Sequence, residues 1–167
     1  LLRWLSPFLV FTCEEAWYSR GNTSSIHLED FLNVKENYNN KSIKIKWEKI
    51  KNIRKVITGA LEKKRAEKSI GSSLEAHVDV YLAEDFKSIL DKTDIAEISI
   101  TSSANLIFSA TSAHDQNTLS TFILEDIDGV AVDVKKTKGS KCERCWKFYD
   151  KINENAICNR CSEVLND

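Results

Sequence analysis

Four of the five cysteines lie near the end of the chain, as two Cys-x-x-Cys pairs. Cys142 and Cys145 form the first pair, and Cys158 and Cys161 form the second pair after twelve intervening residues. A two-residue gap lets both thiolates of a pair point from one tight turn, and two such turns supply four sulfur ligands in tetrahedral geometry. Because a four-sulfur site has no open position for a catalytic water, the spacing predicts one structural Zn²⁺ ion.

Other uses of the four thiols remain open at this point. The pairs could form disulfides, although cysteines clustered at one end favour a metal site in a reducing compartment over a secreted disulfide scaffold. A redox-active Cys-x-x-Cys is typical of a single pair, whereas this chain has two matched pairs. Iron could also occupy four thiolates.

Basic and aromatic residues surround the first cysteine pair. Arg144 lies between its two cysteines, Trp146 follows the second, and Lys141 and Lys147 flank the motif. A tryptophan beside a guanidinium on a small module is typical of a surface that stacks bases and binds phosphate. The alternatives are that Trp146 fills the interior of the metal module and that the lysines are simply solvated.

Charge is divided along the chain, although the net charge is only −1. Residues 41–68 carry a net charge of +8, residues 69–134 carry −10, and residues 135–147 carry +5. Two basic segments that bracket an acidic one favour a phosphate-bearing partner that contacts patches rather than the whole surface. A basic segment can equally be the solvated face of a helix.

The first third of the sequence predicts helices. Residues 1–19 have helical apolar spacing that Pro7 interrupts, with a capping box beginning at Thr12. Residues 43–68 repeat apolar positions every three to four residues, which predicts a long amphipathic helix ending at Gly71. Three tryptophans fall on apolar helix faces and are expected in the core: Trp4, Trp17 and Trp47.

A period of two begins after Gly71 and predicts a strand over 74–82 with one solvated face. The remaining patterns predict a short helix at 85–92, strands at 95–101, 105–110 and 121–125, a turn at Asp128–Gly129, a strand at 130–134 and a tether at 135–141. The expected class is α+β: an N-terminal helical segment, a small mixed α/β unit and a C-terminal zinc knuckle with four cysteine ligands. The predicted domains are residues 1–70, residues 71–138 and the cysteine knuckle, residues 139–167.

Several reactive side chains are expected to have no catalytic role. The three histidines are scattered along the sequence, and none has a second potential metal ligand nearby: His27, His77 and His114. Cys13 lies in an apolar helix, where packing is its expected role. No apolar run approaches the ~20 residues that span a bilayer. The chain has no methionine and no basic leader, so we expect a piece of a longer cytoplasmic protein without a signal peptide.

Several segments, in order, resemble the C-terminal part of bacterial isoleucyl-tRNA synthetases, a class I aminoacyl-tRNA synthetase family. The zinc motif KCERCW at 141–146, with a second Cys-x-x-Cys, is similar to the zinc module of that family. The helical matches are SPFLVFTCEEAW at 6–17, SIHLEDF at 25–31, the Trp-x-x-Ile-x-x-Ile-Arg-x-Val stretch at 47–56, and LEKKRAEKSIGSSLEAHVDVY at 61–81. The resemblance covers most of the chain and is weakest over 83–128.

The resemblance implies a fold that begins with the end of an anticodon-binding helical domain. It also implies a parent enzyme that joins isoleucine to tRNA(Ile) with ATP and Mg²⁺ and acts as a monomer. This chain contains neither the HIGH nor the KMSKS signature, nor the editing centre, so it is expected to be a non-catalytic, tRNA-binding tail attached to the rest of the same polypeptide.

By position, the resemblance makes Cys142, Cys145, Cys158 and Cys161 the zinc ligands and lays Arg144 and Trp146 against the anticodon loop. The gap between the cysteine pairs is a few residues shorter than the family's usual gap, which puts any RNA contact from that tip in doubt.

Two other functions compete with this one. Formamidopyrimidine-type DNA glycosylases end in a similar four-cysteine finger that inserts an arginine into DNA, but this chain shows no N-terminal catalytic nucleophile. The chain could also be a structural domain that braces a larger enzyme, with its lysines serving only solvation.

Overall fold

The structure is a computed structural model that describes residues 1–109 and 121–166. The chain separates into two compact units, Leu1–Lys41 and Ser42–Asp167. The domain boundaries that the sequence predicts near residues 70 and 138 remain predictions. His114 lies outside the described residues.

The first unit contains two helices and two short 3-10 turns: α1 (Leu2–Leu5), α2 (Val10–Ser19), Ile26–Leu28 and Glu36–Tyr38. Pro7 follows α1 and separates it from α2, as the sequence predicts. The predicted capping box is wrong, because α2 begins before Thr12 and has no side-chain cap. The Glu14 carboxylate instead accepts a hydrogen bond of 2.9 Å from the backbone N–H of Ile26, which ties α2 to the following turn.

The long helix α3 (Lys41–Ala66) confirms the strongest sequence pattern. Its buried stripe consists of Ile50, Ile53, Val56, Ile57, Ala60 and Leu61. The predicted stop at Gly71 is wrong: Lys68 takes the left-handed position, with φ of 56°. The backbone N–H of Ser69 then bonds to the carbonyl of Lys64, 3.0 Å away, which satisfies one of the last carbonyls of the helix.

Four strands of the described part of the chain form one mixed sheet in the order β2-β1-β4-β3, with β1 parallel to β2 and antiparallel to β4. The strands are β1 (Ala76–Ala83), β2 (Ser103–Ser109), β3 (Phe122–Leu124) and β4 (Ile127–Lys136). Alternate residues of β1 and β4 join the α3 stripe in one apolar core, with Val80 opposite Val132 in the register. We call residues 42–136 the α+β body.

One predicted strand is a helix. Residues 95–101 were expected to be extended, but Ile95–Ser99 forms α5. The Asp94 carboxylate accepts the backbone N–H of Glu97 at 3.1 Å, and this cap starts the helix. Ile100, with φ of 56°, ends it. The short helix predicted at 85–92 is present as a 3-10 turn, Glu84–Phe86, followed by α4, Lys87–Leu90.

The last hairpin turns earlier than the sequence suggests. Leu124 pairs with Ile127, so the turn lies between them rather than at Asp128–Gly129. Gly129 lies inside β4 with φ of 73°, where the register with β3 is irregular. A Cβ atom at position 129 would lie 3.2 Å from the Cβ of Ala83. Glycine is therefore needed here because two strands approach closely inside the sheet, and not because the chain turns at this point.

Two of the three tryptophans expected in the core lie at the surface: Trp4 is 48% exposed and Trp47 is 45% exposed. The buried stripe of α3 begins only at Ile50, so Trp47 lies outside the part of the helix that the core covers. Trp17 is half-buried and donates its indole N–H to the carbonyl of Ser24. Cys13 is buried, in agreement with the predicted packing role.

The α+β class is confirmed, because helices and one mixed sheet share the apolar core and the four cysteines cluster at the C-terminal end. Among the described residues, no helix combines the length and the apolar character that crossing a membrane requires.

Candidate metal centre and its surface

The first cysteine turn lies on a two-stranded hairpin of β5 (Ser140–Lys141) and β6 (Phe148–Tyr149). The N–H of Cys142 donates to the carbonyl of Lys147 at 2.9 Å, and the N–H of Trp146 donates to the carbonyl of Cys142 at 2.8 Å. Gly139 enters the hairpin with φ of 104°, and a side chain there would collide with the carbonyl of Tyr149. Only glycine fits this approach without strain.

The second cysteine turn leads into the last helix, α6 (Asn159–Asn166), which contains Cys161 and follows Cys158 directly. The Asn153 side-chain oxygen accepts the N–H of Ile157 at 3.0 Å, and the Asn153 N–H donates to the Ile157 carbonyl at the same distance. This local turn holds the approach to Cys158, because an asparagine side chain can replace a backbone partner.

The two turns bring four sulfur atoms together. The Sγ atoms of Cys142, Cys145, Cys158 and Cys161 all lie within 4.8 Å of one another, and those of Cys145 and Cys158 are 3.9 Å apart. A tetrahedral site with metal–sulfur bonds of ~2.3 Å needs sulfur atoms ~3.8 Å apart. All five cysteines are free, so these thiols are not disulfide-bonded and could hold one metal ion.

The surroundings of the thiols favour a bound cation. Burial raises the pKa of the Cys142 thiol, but the backbone N–H groups of Cys145, Cys158 and Arg144 outweigh burial and lower that pKa to about 6. Burial raises the pKa of the Cys161 thiol to about 11. Packing four ionised sulfurs together is unfavourable without a positive charge, and a divalent cation supplies it.

Little apolar packing holds this module together. Its buried side chains are cysteines: Cys142, Cys158 and Cys161. The hydrophobic residues packed against them are only partly buried: Cys145, Tyr149 and Ile157. A module with so small a core usually depends on its metal for folding.

Among the described residues, Glu97 and Ser102 of the α+β body form side-chain hydrogen bonds with the cysteine knuckle. The Glu97 carboxylate lies 2.6 Å from Nζ of Lys147 and 3.1 Å from the Arg160 guanidinium, through the same oxygen, Oε1. The hydroxyl of Ser102 accepts the backbone N–H of Phe148 at 2.8 Å and donates to the carbonyl of Leu74. No feature of the sequence identified Glu97 or Ser102 as a contact of the knuckle, because each lies about fifty residues or more before its partners there.

The four residues expected to contact RNA lie in different environments. Trp146 is 59% exposed, so it does not fill the knuckle interior, and Nζ of Lys141 lies 4.9 Å from the centre of its ring. Arg144 is exposed, and its side chain interacts with the thiol of Cys161. The Lys147 side chain is only 13% exposed and pairs with Glu97, so it has a competing partner within the chain.

A groove of about 230 Å³ adjoins Trp146. One wall comes from the loop before β1, which the sequence analysis did not connect with the knuckle. The lining residues are Ser72, Leu74, Glu75, Lys141, Trp146 and Phe148. The groove therefore presents an aromatic face, a cation and a carboxylate next to the metal module.

The basic charge of residues 41–68 is partly balanced within the chain. Of its eleven Lys and Arg residues, four form ion pairs among the described residues: Lys49 with Asp85, Lys55 with Asp126, Lys64 with Glu67, and Arg65 with Glu62. These pairs support the solvated-face interpretation for part of the helix and leave the other cations without a paired acid among the described residues.

Comparison with known proteins gives a consistent result. Residues 1–81 match the family described as the anticodon-binding domain of tRNA ligase. The chain is 41% identical over 151 residues to the isoleucine–tRNA ligase of Bartonella henselae, and 42% identical over 150 residues to that of Agrobacterium fabrum, each match covering 89% of this chain. It is 41% identical over 157 residues, 92% of this chain, to the enzyme of Bradyrhizobium diazoefficiens. The chain spans about 15% of the length of these relatives.

Proposed function

We propose that the chain is the tRNA-binding tail of an isoleucine–tRNA ligase, because residues 1–81 match the anticodon-binding domain of tRNA ligase and the chain aligns with isoleucine–tRNA ligases over about nine tenths of its length. Its partner is tRNA(Ile), held at and near the anticodon. The tail supports ATP-dependent attachment of isoleucine by positioning the tRNA for chemistry that takes place elsewhere in the polypeptide.

The exposed indole of Trp146 is the observation that supports RNA binding most directly. Trp146 has a left-handed backbone, with φ of 67°, directly after the first cysteine pair, and Nζ of Lys141 lies 4.9 Å from the centre of its exposed ring. Base stacking on an aromatic ring next to cations is the usual way in which proteins bind unpaired nucleotides. Lys147 contributes less to RNA contact in this proposal, because its ammonium already pairs with Glu97.

The metal in this proposal is one structural Zn²⁺ held by the four cysteines of the knuckle. The sulfur separations fit a tetrahedral thiolate site, and zinc is the usual occupant of such closed sites, although iron accepts the same ligands. Bound zinc would fix the two cysteine turns relative to each other. The residues of the chain, rather than the ion, would contact RNA.

The remainder of the proposed enzyme lies outside this chain. ATP and Mg²⁺ would bind in a separate catalytic domain, and a separate editing domain would hydrolyse misacylated tRNA. The parent is proposed to be a cytoplasmic monomer, and its other domains are the second partner of the tail.

The first test measures binding of the zinc-loaded chain to tRNA(Ile) at several salt concentrations. We expect affinity to fall as salt rises, because phosphate contacts release counterions. The double variant Arg144→Ala, Trp146→Ala should bind about tenfold more weakly, since one stacked base contributes ~1–3 kcal/mol. Lys87→Ala, which removes an exposed cation from the acidic part of the chain, is the matched control and should bind like the wild type.

Three results would contradict the proposal. Unchanged affinity and unchanged aminoacylation by a full-length enzyme with the double substitution would exclude the anticodon role. Duplex DNA that outcompetes tRNA would favour the DNA-repair finger instead. Undetectable binding of tRNA, equal to that of a neutral polymer, would favour a bracing domain.

A further inference from the structure

We propose that Glu97 and Ser102 form a knuckle seat, a pair of positioning residues that fixes the orientation of the cysteine knuckle on the α+β body. The inference rests on the proposed function, because the orientation matters only if the knuckle and the body bind RNA together. Neither residue is a zinc ligand, and neither is assigned a contact with RNA.

Glu97 joins both cysteine turns to α5. One carboxylate oxygen accepts hydrogen bonds from Lys147, two residues after Cys145, and from Arg160, which lies between the last two cysteines. Zinc would fix the two turns relative to each other, but none of its four proposed ligands belongs to the body. Glu97 therefore supplies the shared anchor that the metal does not.

Ser102 supplies the second anchor. Its hydroxyl accepts the N–H of Phe148 and donates to the carbonyl of Leu74, so one side chain joins β6 to the loop before β1. Leu74 and Phe148 both line the groove beside Trp146. The Ser102 hydroxyl thereby joins two of the segments that line this groove, and the loss of either hydrogen bond would let these segments move apart.

The covalent connection alone would not hold this arrangement. Between the end of β4 at Lys136 and the start of β5 at Ser140 there are three residues, one of them Gly139 in a left-handed conformation. Such a tether limits the distance between the knuckle and the body, but it does not fix the angle. Two anchors at separate points do fix the angle, as one anchor would not.

Because Glu97 is negatively charged, the direction in which Glu97→Gln changes tRNA affinity tests the proposal. Glu97 is an anion near a surface proposed to bind RNA. If it acted only through its charge, Glu97→Gln would strengthen tRNA binding, because an anion would be removed. If it acts as an anchor, the same substitution weakens binding, because the knuckle loses its orientation.

The experiment uses the zinc-loaded chain and tRNA(Ile). We expect Glu97→Gln and Ser102→Ala each to weaken binding about fivefold while one zinc per chain is retained. Glu143→Gln is the matched control: it removes an exposed acid of the knuckle whose carboxylate has no hydrogen-bond partner among the described residues, and it should bind equally well or more tightly. Ser102→Thr keeps the hydroxyl and should recover most of the affinity.

A double-mutant cycle with Trp146→Ala separates positioning from direct contact. If the seat acts through the knuckle, Glu97→Gln should cause less than a twofold further loss once Trp146 is absent. Tighter binding by Glu97→Gln, or full additivity with Trp146→Ala, would overturn the proposal.

An NMR relaxation measurement tests the seat without RNA. In the zinc-loaded wild type, the amides of the knuckle and of the body should report the same tumbling time. In Glu97→Gln combined with Ser102→Ala, the knuckle amides should report faster tumbling. Identical times in the double variant would overturn the seat, whereas failure of the wild type to bind tRNA, with the relaxation change intact, would overturn only the proposed function.

Discussion

Among the described residues of the α+β body, eighteen buried side chains, most of them from α3 and the sheet, form one apolar cluster. In the cysteine knuckle, the buried side chains are three cysteines, and the residues around them are only partly covered. Apolar burial stabilises at roughly 25 cal/mol per Å² of surface removed from water, so packing should supply most of the stability of the body. The knuckle has too little such surface, and in our proposal a metal ion held by the four thiolates would provide most of its stability.

This difference shows how one chain combines a packed scaffold with a rigid but small exposed surface. The body buries its large side chains. The knuckle instead exposes Trp146, with Lys141 over its ring, which is compatible with our proposal that a metal–thiolate site rather than an aromatic core holds its fold. The predictions below test this division of stability, beginning with the largest expected effect.

Removal of the metal should unfold the knuckle and leave the body folded. Binding of structural zinc is worth ~10–16 kcal/mol in small metal modules, far more than the knuckle's apolar packing provides. After chelation, or in Cys142→Ser, NMR amide signals of 139–166 should collapse to unfolded positions while those of α3 and the sheet stay in place. Added zinc should restore the chelated wild type. Dispersed knuckle signals in metal-free protein would contradict the comparison.

The opposite experiment weakens the body. Ile53 is fully buried in α3, and Ile53→Ala should lower the free energy of unfolding by about 3–4 kcal/mol, because it leaves a cavity in the core. Chemical denaturation measures this loss. Zinc stoichiometry should stay at one per chain, and Lys51→Ala, at an exposed position of the same helix, should change stability by less than about 0.5 kcal/mol. Loss of the metal in Ile53→Ala would show that the two modules fold as one.

A buried carboxylate on the outer face of the sheet should make the stability of the body depend on pH. Burial raises the pKa of Asp79, but hydrogen bonds from Lys135, His77 and Asn105 outweigh burial and hold it below its ordinary value. Because the folded pKa lies below the unfolded value of ~3.9, this contribution is present above that pH and is lost as pH falls through the folded pKa.

Asp79→Asn should therefore cost about 1–3 kcal/mol at pH 7, the usual range for a lost charged hydrogen bond. Its stability should fall less than that of the wild type between pH 5 and pH 2. Parallel urea titrations at these pH values measure the difference. Equal acid sensitivity in both proteins would assign the pH dependence to other groups.

The smallest effect is expected at the surface. Lys55 and Asp126 form an ion pair of 2.6 Å between α3 and the last hairpin turn, with both side chains more than half exposed. The Lys55 hydrogen bond lowers the pKa of Asp126, yet solvent and salt screen an exposed pair. Asp126→Asn should change the unfolding free energy by less than about 0.5 kcal/mol. A loss above about 1 kcal/mol would mean that surface charge, and not only the core, stabilises the body.

The sequence predicted well where the signal is local and repeated. The apolar spacing of 43–68 predicted α3, and the alternation over 74–82 predicted β1, because each pattern reports which face of one element is covered. It failed where a single side chain decides the structure. The carboxylate of Asp94 caps α5 in a stretch that alternates like a strand, and Lys68 replaces the expected glycine at the end of α3.

The candidate metal ligands follow from sequence alone, because each pair lies within one turn and only the meeting of two turns depends on the rest of the fold. The arrangement of the surface around these ligands does not follow from sequence alone. Lys141 and Lys147 flank the same motif and look equivalent in sequence. In the fold, Lys141 lies over the exposed ring of Trp146, whereas Lys147 pairs with Glu97, fifty positions earlier in the chain. Tertiary structure decides between them, because the partner of a charged side chain is set by segments that meet only when the chain folds.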